Sequence, residues 1–314
     1  MQQTHHPRAT ILFLAYNQQD FVTQAAQSCL DQQCEPLEII LSDDCSEDCT
    51  FERLQQLAKS YAGPHRVLVR QNPHNLGIAD HYNTLIGLAS GDLLITAAGD
   101  DISSLNRAQA LLEAWDASNG KLDLIASYAK SIALNGQDSG KIIQVDQLSH
   151  WTNAAQWCKK RPYVVGATHA FTKRIWAQFG SLASDIPYED QIITLRALCM
   201  GGGLTLETPL ISYRAGGVSA KKTTSDKASR LDAIAKRYAR QLAVFNQVRL
   251  DLDRAGLASL WTGKVKRYWT RSHAALSLLR MRQQKQKIHA LALWKMVRQC
   301  GPLWTLRQFF YTWQ

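Results

Sequence analysis

No stretch of the 314-residue chain reaches the roughly 18 uninterrupted apolar residues that a membrane-spanning helix needs, so no spanning helix is expected. Met1-Gln2-Gln3 opens without the charged-then-apolar pattern of a secretory leader. Cysteines number seven, and an odd set without a leader argues for a reducing, cytoplasmic setting. Cys45-x3-Cys49 and Cys29-x4-Cys34 lack the second His/Cys pair of a zinc finger, so small buried side chains are their expected role. The absence of internal repeats and of low-complexity tracts excludes solenoids and long disordered linkers. Acid is scarce in one region. Residues 221–314 carry 20 Lys+Arg and 4 Asp+Glu, a net +16, whereas residues 1–220 carry 16 and 22, a net −6. The chain therefore reads as a mildly acidic body, 1–220, large enough for one α/β domain, and a basic appendage, 221–314.

What is present is a regular alternation of strand and helix signals. Thr10–Tyr16 (TILFLAY) is a near-continuous apolar run, as a strand covered on both faces requires. Phe21, Val22, Ala25, Ala26, Cys29 and Leu30 follow at helical spacing. Leu37–Leu41 reads as a second strand, and Ser46-x-x-Cys49 opens a second helix ended by Gly63-Pro64. Val67–Val69, Asn75–Leu88 and Leu93–Ala98 continue as strand, helix and strand. This pitch predicts right-handed crossovers and a mostly parallel sheet. Farther on, the patterns predict a helix over Ala108–Trp115, a strand over Leu122–Ser131, a turn at Gly136-Gln137-Asp138 and a strand over Val164–Phe171. Helices at Lys173–Phe179 and Gln191–Met200 precede two short strands, Leu204–Leu206 and Leu210–Tyr213, either side of Pro209. The tail reads as three amphipathic helices: Leu231 to Val248, a second beginning at Leu257, and a third around Ile288, Leu291 and Trp294.

Two acidic pairs, Asp43-Asp44 and Asp100-Asp101, each sit just past an apolar strand. Ligands of open α/β sheets bind beyond the carboxyl ends of the strands. Four carboxylates gathered there repel one another unless a cation or hydrogen-bond donors neutralise them. A divalent cation on a diphosphate, with a nucleoside beside it, would do so.

Five segments carry a resemblance: ILFLAYNQQDF (11–21), IILSDDCSEDCT (39–50), NLGIADHYNTLIGLASGDLLITAAGDDI (75–102), YEDQIITLRAL (188–198) and PLISYRAGGVS (209–219). In this order they resemble the glycosyltransferases of family 2, enzymes with nucleotide-sugar donors. The resemblance implies a GT-A-type, Rossmann-like α/β sheet flanked by helices, here with a C-terminal α-helical extension. It also implies a single, inverting displacement. Tyr16 would lie against the nucleobase. Asp44 would accept the pyrimidine ring N–H, and Asp43 would contact the nucleoside or hold the loop. Asp100 matches the last Asp of the family's D-x-D signature and would ligate Mg²⁺ or Mn²⁺, with Asp101 beside it. Asp190 would be the general base, with Glu189 the runner-up, and Arg214 would reach the diphosphate.

The sequence departs from the pattern where Ala98 occupies the signature's first Asp position, leaving the metal site chiefly to Asp100. Ala215 and Gly216 stand where the family often has a His. Arg107 is expected to anchor its helix, and His81 and Asn83 to bond neighbouring loops. Plainer roles stand beside these: Tyr16 packing on the next helix, Asp43 and Asp44 capping the helix after Ser46, Glu189 and Asp190 complementing a helix dipole. Two rival functions stand as well. A nucleotidyltransferase would carry a Gly-rich basic loop where Asn17-Gln18-Gln19-Asp20 stands, and a non-catalytic, glycan- or partner-binding relic is suggested by Ala98.

The tail holds five of the nine Trp, interleaved with Lys and Arg, as in KVKRYW (264–269) and LWTLRQFFYTWQ (303–314). Basic helices with an aromatic face suit an anionic membrane surface. That would place the protein peripherally on the cytoplasmic face of the inner membrane, near lipid-linked acceptors. Packing on the body or homo-oligomerisation through these helices are the alternatives, and no nucleic-acid-binding motif accompanies the charge. The expected reaction moves a sugar from a UDP- or dTDP-sugar to a hydroxyl of a glycan or lipid-linked acceptor in bacterial polysaccharide or lipopolysaccharide synthesis.

Overall fold

Strand β1 (Ala9–Ala15) is buried at every position, which is why its residues are apolar without alternation. It is followed in chain order by α1 (Gln19–Leu30), β2 (Glu38–Asp43), α2 (Thr50–Ser60), β3 (Arg66–Gln71), α3 (Gly77–Leu88), β4 (Leu93–Ala98), β5 (Ile102–Ser103) and α4 (Arg107–Ala117). Then come β6 (Leu124–Ile132), β7 (Asp138–Ile143), α5 (Ala154–Lys159), β8 (Ala170–Thr172), α6 (Arg174–Phe179), α7 (Glu189–Leu198) and β9 (Gly203–Arg214). Helices α8 (Lys227–Arg254), α9 (Gly263–Gln283) and α10 (Ala290–Cys300) complete the series. The computed structural model describes residues 7–215, 227–284 and 290–306. The chain divides into two compact units, Met1–Ser184 with Tyr188–Ala220, and Lys221–Gln314 with Asp185–Pro187.

The sheet runs β3-β2-β1-β4-β8-β6-β9-β5, with β7 folded back on β6. Strands β3, β2, β1 and β4 are parallel, as are β6 and β9, while β8, β5 and β7 pair antiparallel. The main core lies where Val22, Ala26 and Cys29 of α1, Leu54 of α2 and Leu111 of α4 meet the apolar residues of β1, β2 and β4.

Three expectations change. The strand expected over Val164–Phe171 is largely a 3-10 turn at Gly166–Thr168, because only the three residues of β8 find partners on β4. The two strands expected around Pro209 are one. Pro209 faces Tyr128 where the register slips, so its missing N–H interrupts no regular ladder. The second tail helix begins at Gly263, since Leu257–Trp261 forms a 3-10 turn instead. Two elements went unforeseen. Strand β7 is exposed at five of its six positions and carries no apolar alternation. Helix α5, six residues long, is marked only by its cap, Asn153, whose side-chain oxygen accepts the Gln156 N–H at 3.2 Å.

In the second unit, α8 meets α9 through Leu231, Ala235, Tyr238 and Leu242 against Leu276 and Leu279. Helix α10 rests on α9 through Met296 and Cys300 against Ala274 and Leu278. Among the described residues no helix is long and apolar enough to cross a membrane. Ile288, expected in the third tail helix, and residues 307–314 of the aromatic segment lie outside the described residues.

Candidate active site

The parallel register sets Ala15 opposite Asp43 and Leu14 opposite Ala98. Three neighbouring strands therefore release the chain at one edge: Tyr16 after β1, Asp44 after β2, and Gly99-Asp100-Asp101 after β4. Gly99 permits this convergence, since a Cβ there would sit 2.3 Å from Gln18 Oε1 and 2.9 Å from Ala15 Cβ.

The first acidic pair is neutralised by protein donors. Asp43 is wholly buried and accepts from the Ser46 N–H at 2.8 Å, from Gln71 Nε2 at 2.9 Å and from the Ser46 hydroxyl. These bonds tie Asp43 to its own loop and to the end of β3. Asp44 accepts from Asn72 Nδ2 at 2.7 Å, the Leu76 N–H at 2.8 Å and the Gly77 N–H at 2.9 Å, so it closes the start of α3 rather than capping α2. Asp48 serves α2, accepting the Thr50 N–H at 2.9 Å. Behind them Ser42 Oγ lies 2.7 Å from both His81 Nε2 and Arg70 Nη1. Burial pushes the His81 imidazole below its usual range, so it is a neutral packing group. Asn83 ties down the Leu182 loop, donating to the Leu182 carbonyl at 2.8 Å and accepting its N–H at 2.9 Å.

Half-buried Tyr16 sits beside two interlocked loops. The Asn17 N–H donates to Ser46 Oγ at 2.8 Å, and Asn17 Oδ1 accepts the Glu47 N–H at 2.9 Å. Asn17 and Cys45 hold left-handed backbone (φ 51° and 62°), a strained conformation for Cys that the interlock maintains. Cys45 and Cys49 are free thiols.

The second pair differs. Asp100 is half-buried at the edge, whereas Asp101 is buried and its Oδ1 accepts the Arg214 N–H at 2.8 Å. Burial, and then the Asp100 charge, push the Asp101 carboxyl up to about 7. This makes Asp101 a support beside the edge more than an open ligand. Arg214, expected at the diphosphate, is engaged by protein groups. It is 3 % exposed, donates from Nε to the Asp100 carbonyl at 2.9 Å and from Nη1 to the Leu134 and Ala133 carbonyls at 2.7 and 3.1 Å, and lies 4.6 Å over the Phe21 ring. Its guanidinium fastens the end of β9 to the β4 turn and the β6–β7 turn. The glycines expected to close over a diphosphate, Gly216 and Gly217, lie outside the described residues. Arg107 anchors α4 as expected, through Ser103 Oγ at 3.0 Å and the Thr96 and Ala167 carbonyls at 2.7 and 2.8 Å. Burial pulls its guanidinium down to about 10, still a cation at neutral pH.

The third pair, Glu189-Asp190, opens α7. Burial pushes both carboxyls above the ordinary range. The Asp190 charge raises Glu189 further, and the Gln191 N–H, 2.7 Å from Asp190 Oδ1, together with Arg161 draws Asp190 back. Gly166 makes room for them: a Cβ there would lie 2.8 Å from Glu189 Oε1. Tyr213, near the end of β9, was read in the sequence only as the end of a strand. Its half-buried phenol is raised by burial and then by the charges of Asp101, Asp100 and Asp190. The phenol is thus within electrostatic reach of acids of both the second and the third pair.

Carboxylate oxygens at Asp100 and Asp101 suit a hard divalent cation. Among the described residues no three His, Cys, Asp or Glu side chains cluster as a complete metal cage. A site with one or two protein carboxylates, completed by phosphate oxygens and water, is the usual arrangement for Mg²⁺. A carboxylate with a raised pKa at the other side is a stronger base near neutral pH.

Known proteins share this frame. The Escherichia coli UDP-Gal:alpha-D-GlcNAc-diphosphoundecaprenol beta-1,3-galactosyltransferase is 23% identical over 219 residues, 69% of this chain and 77% of its own length. An uncharacterized glycosyltransferase of Haemophilus influenzae is 26% identical over 126 residues, 40% of this chain and 38% of that protein. Against it and a Mycobacterium bovis relative the match spans 38% and 26% of their lengths. Among solved structures, Staphylococcus aureus TarS 1-349 in complex with UDP-GlcNAc superposes with TM-score 0.57 at 13% identity, covering 98% of this chain and 89% of that one. The Pyrobaculum calidifontis mannosyltransferase PcManGT, in complex with GDP-Man and Mn²⁺, gives TM-score 0.51 at 11% identity, covering 99% and 89%. At such identities the likeness establishes the GT-A-type fold. The family model for Glycosyl transferase family 2 matches residues 10–174, more than half of the chain. That match begins in β1 and ends at α6, taking in the strands that carry both Asp-Asp pairs, and the chain belongs to glycosyl transferase family 2.

Proposed function

We propose that the protein transfers a sugar from a UDP- or dTDP-sugar to a hydroxyl of a glycan or lipid-linked acceptor in bacterial surface-glycan synthesis, with inversion and with a divalent cation. The observation that carries the reading is the edge where β1, β2 and β4 deliver Tyr16, Asp44 and Asp100 side by side, with the Asp190 carboxyl, like Asp100 and Asp101, within electrostatic reach of Tyr213. A single displacement needs such a pair of functions, charge neutralisation at the departing diphosphate and a base at the incoming hydroxyl, across one reacting carbon. Asp100, with Asp101 beside it, would hold Mg²⁺ or Mn²⁺. That ion, when bound, supplies neutralising charge for the diphosphate. Asp190 takes the proton of the acceptor hydroxyl as its oxygen attacks the anomeric carbon. The bond to the diphosphate breaks with its electron pair on the opposite face, so the configuration inverts. Tyr16 lies against the nucleobase and Asp44 faces its ring N–H. Names of related proteins agree in kind: the E. coli relative takes UDP-Gal and a diphosphoundecaprenol-linked acceptor, and PcManGT was solved with Mn²⁺.

The test is nucleotide release from a panel of UDP- and dTDP-sugars by the full chain with Mg²⁺ or Mn²⁺ and an undecaprenyl-diphosphate glycan. Asp190→Asn is expected to lose about 10²–10⁴-fold in rate, and Asp100→Ala to lose its response to the cation. Calorimetry that finds no nucleotide binding with either cation ends the reading.

A further inference from the structure

Asp253 is the last acidic residue of the chain. The 61 residues from Arg254 to Gln314 carry 12 Lys and Arg and no carboxylate side chain. In α8 a cation still finds a neighbour, with Lys236 pairing Asp232 at 2.9 Å. Beyond it, cations lie over aromatic rings: Arg271 is 5.7 Å over Trp304 and Arg298 is 5.5 Å over Trp294. Such stacking leaves the positive charge uncancelled.

Among the described residues, helix α10 packs on α9 through the face of Met296 and Cys300. At helical spacing the opposite face presents Trp294, 56 % exposed, with Lys295 and Arg298 exposed beside it. Past the helix end at Gly301, Leu303 is 84 % exposed and Leu306 is exposed as well. Large apolar side chains set among cations, in a stretch of chain without a carboxylate side chain, are an expensive surface to leave in water, and their composition selects what covers them. A nucleic acid matches the cations but offers no apolar layer to Leu303 and Leu306. A second copy of the same face would oppose like charges with no carboxylate between them. A bilayer with anionic headgroups offers both, taking the cations at the headgroups and Trp and Leu at the acyl boundary.

We propose that the outward face of α10, through Trp294, Lys295 and Arg298, together with Leu303 and Leu306 just past the helix, seats the protein on an anionic lipid surface. The proposal stands apart from the catalytic reading. Its test uses neither donor nor acceptor, so its failure leaves that reading intact.

The full chain is floated with vesicles of phosphatidylcholine alone and of phosphatidylcholine mixed with phosphatidylglycerol, at low and high salt. Binding is expected only to the mixed vesicles, and weaker in salt. The Lys295→Gln/Arg298→Gln double variant, which spares the face packed on α9, is expected to lower partition about thirtyfold, at roughly fivefold per cation. Trp294→Ser/Leu303→Ser is expected to lower it as well, with matching thermal melts confirming that each variant folds. Equal flotation with both vesicle types, none with either, or unchanged partition in both variants overturns the proposal. So does tighter binding to duplex DNA than to mixed vesicles in a salt-matched competition. Should either variant fail to fold, the wild-type lipid and salt comparison decides alone.

Discussion

Each acid in this protein acquires its role from its depth. Asp43 and Asp44 look identical to Asp100 and Asp101 as letters, yet the first two are held by Ser46, Gln71, Asn72 and the backbone of Leu76 and Gly77. The second two meet each other's charge and, at Asp101, a raised pKa. This has a consequence for stability. Between the unfolded value of 3.8 and the folded value of about 7, folded Asp101 keeps a proton that the unfolded chain has released. The group therefore stabilises fully at low pH, and its contribution falls as pH rises through that window. Asp101→Asn keeps the acceptor for the Arg214 N–H and should flatten the decline, measured as urea midpoints across the window. An unchanged slope in the variant refutes the assignment. Asp190, raised by burial, gives the corresponding activity prediction. The acid limb of kcat/KM should lie above the ordinary carboxylate value of about 4. A limb at that value would remove Asp190 as the base.

Elements meet at this site through side chains that local periodicity does not announce. Arg214 joins β9 to the β4 turn and to the β6–β7 turn, and its removal strands the carbonyls of Asp100, Ala133 and Leu134. Arg214→Ala should cost about 3 kcal/mol, the usual scale for breaking a buried charged network. Arg214→Lys should recover little, because one ammonium cannot span three carbonyls. A loss under about 1 kcal/mol in denaturant melts would show the clamp to be dispensable. The Gly166 turn acts on α7 in the same way. A methyl at Gly166 meets Glu189 Oε1 at 2.8 Å. Gly166→Ala should therefore lower kcat about tenfold to a hundredfold by displacing the acidic pair, with donor KM little changed. The strands that carry the first two pairs were legible because parallel strands are buried on both faces and read as apolar runs. Strand β7 was not, since it is exposed and lacks that pattern. The single strand through Pro209 was not either, because the register slip that accommodates the proline, extra residues of β9 against Ser127–Ala129 of β6, exists only once the two strands pair.

For the molecule as a whole, a ligand that binds only the folded state stabilises it by mass action. UDP with Mn²⁺ at a hundredfold excess over its dissociation constant should add about 2.7 kcal/mol, read as a thermal shift. Asp100→Ala should lose the part of that shift that depends on Mn²⁺, and an undiminished cation effect would place the metal elsewhere. The sequence by itself determined the alternation of strand and helix, the position of each Asp-Asp pair just past an apolar strand, and the separation of an acidic body from a basic tail. These depend on hydrophobic periodicity and charge count, which are local. Only the tertiary structure decided which pair is neutralised by the protein, that Arg214 fastens turns, and that Tyr213 lies within electrostatic reach of Asp100, Asp101 and Asp190. The donors to Asp44 arrive from Asn72, Leu76 and Gly77, and the partners of Arg214 from Asp100, Ala133 and Leu134. Hydrogen-bond satisfaction and desolvation are set by neighbours in space, and no spacing along the chain encodes them.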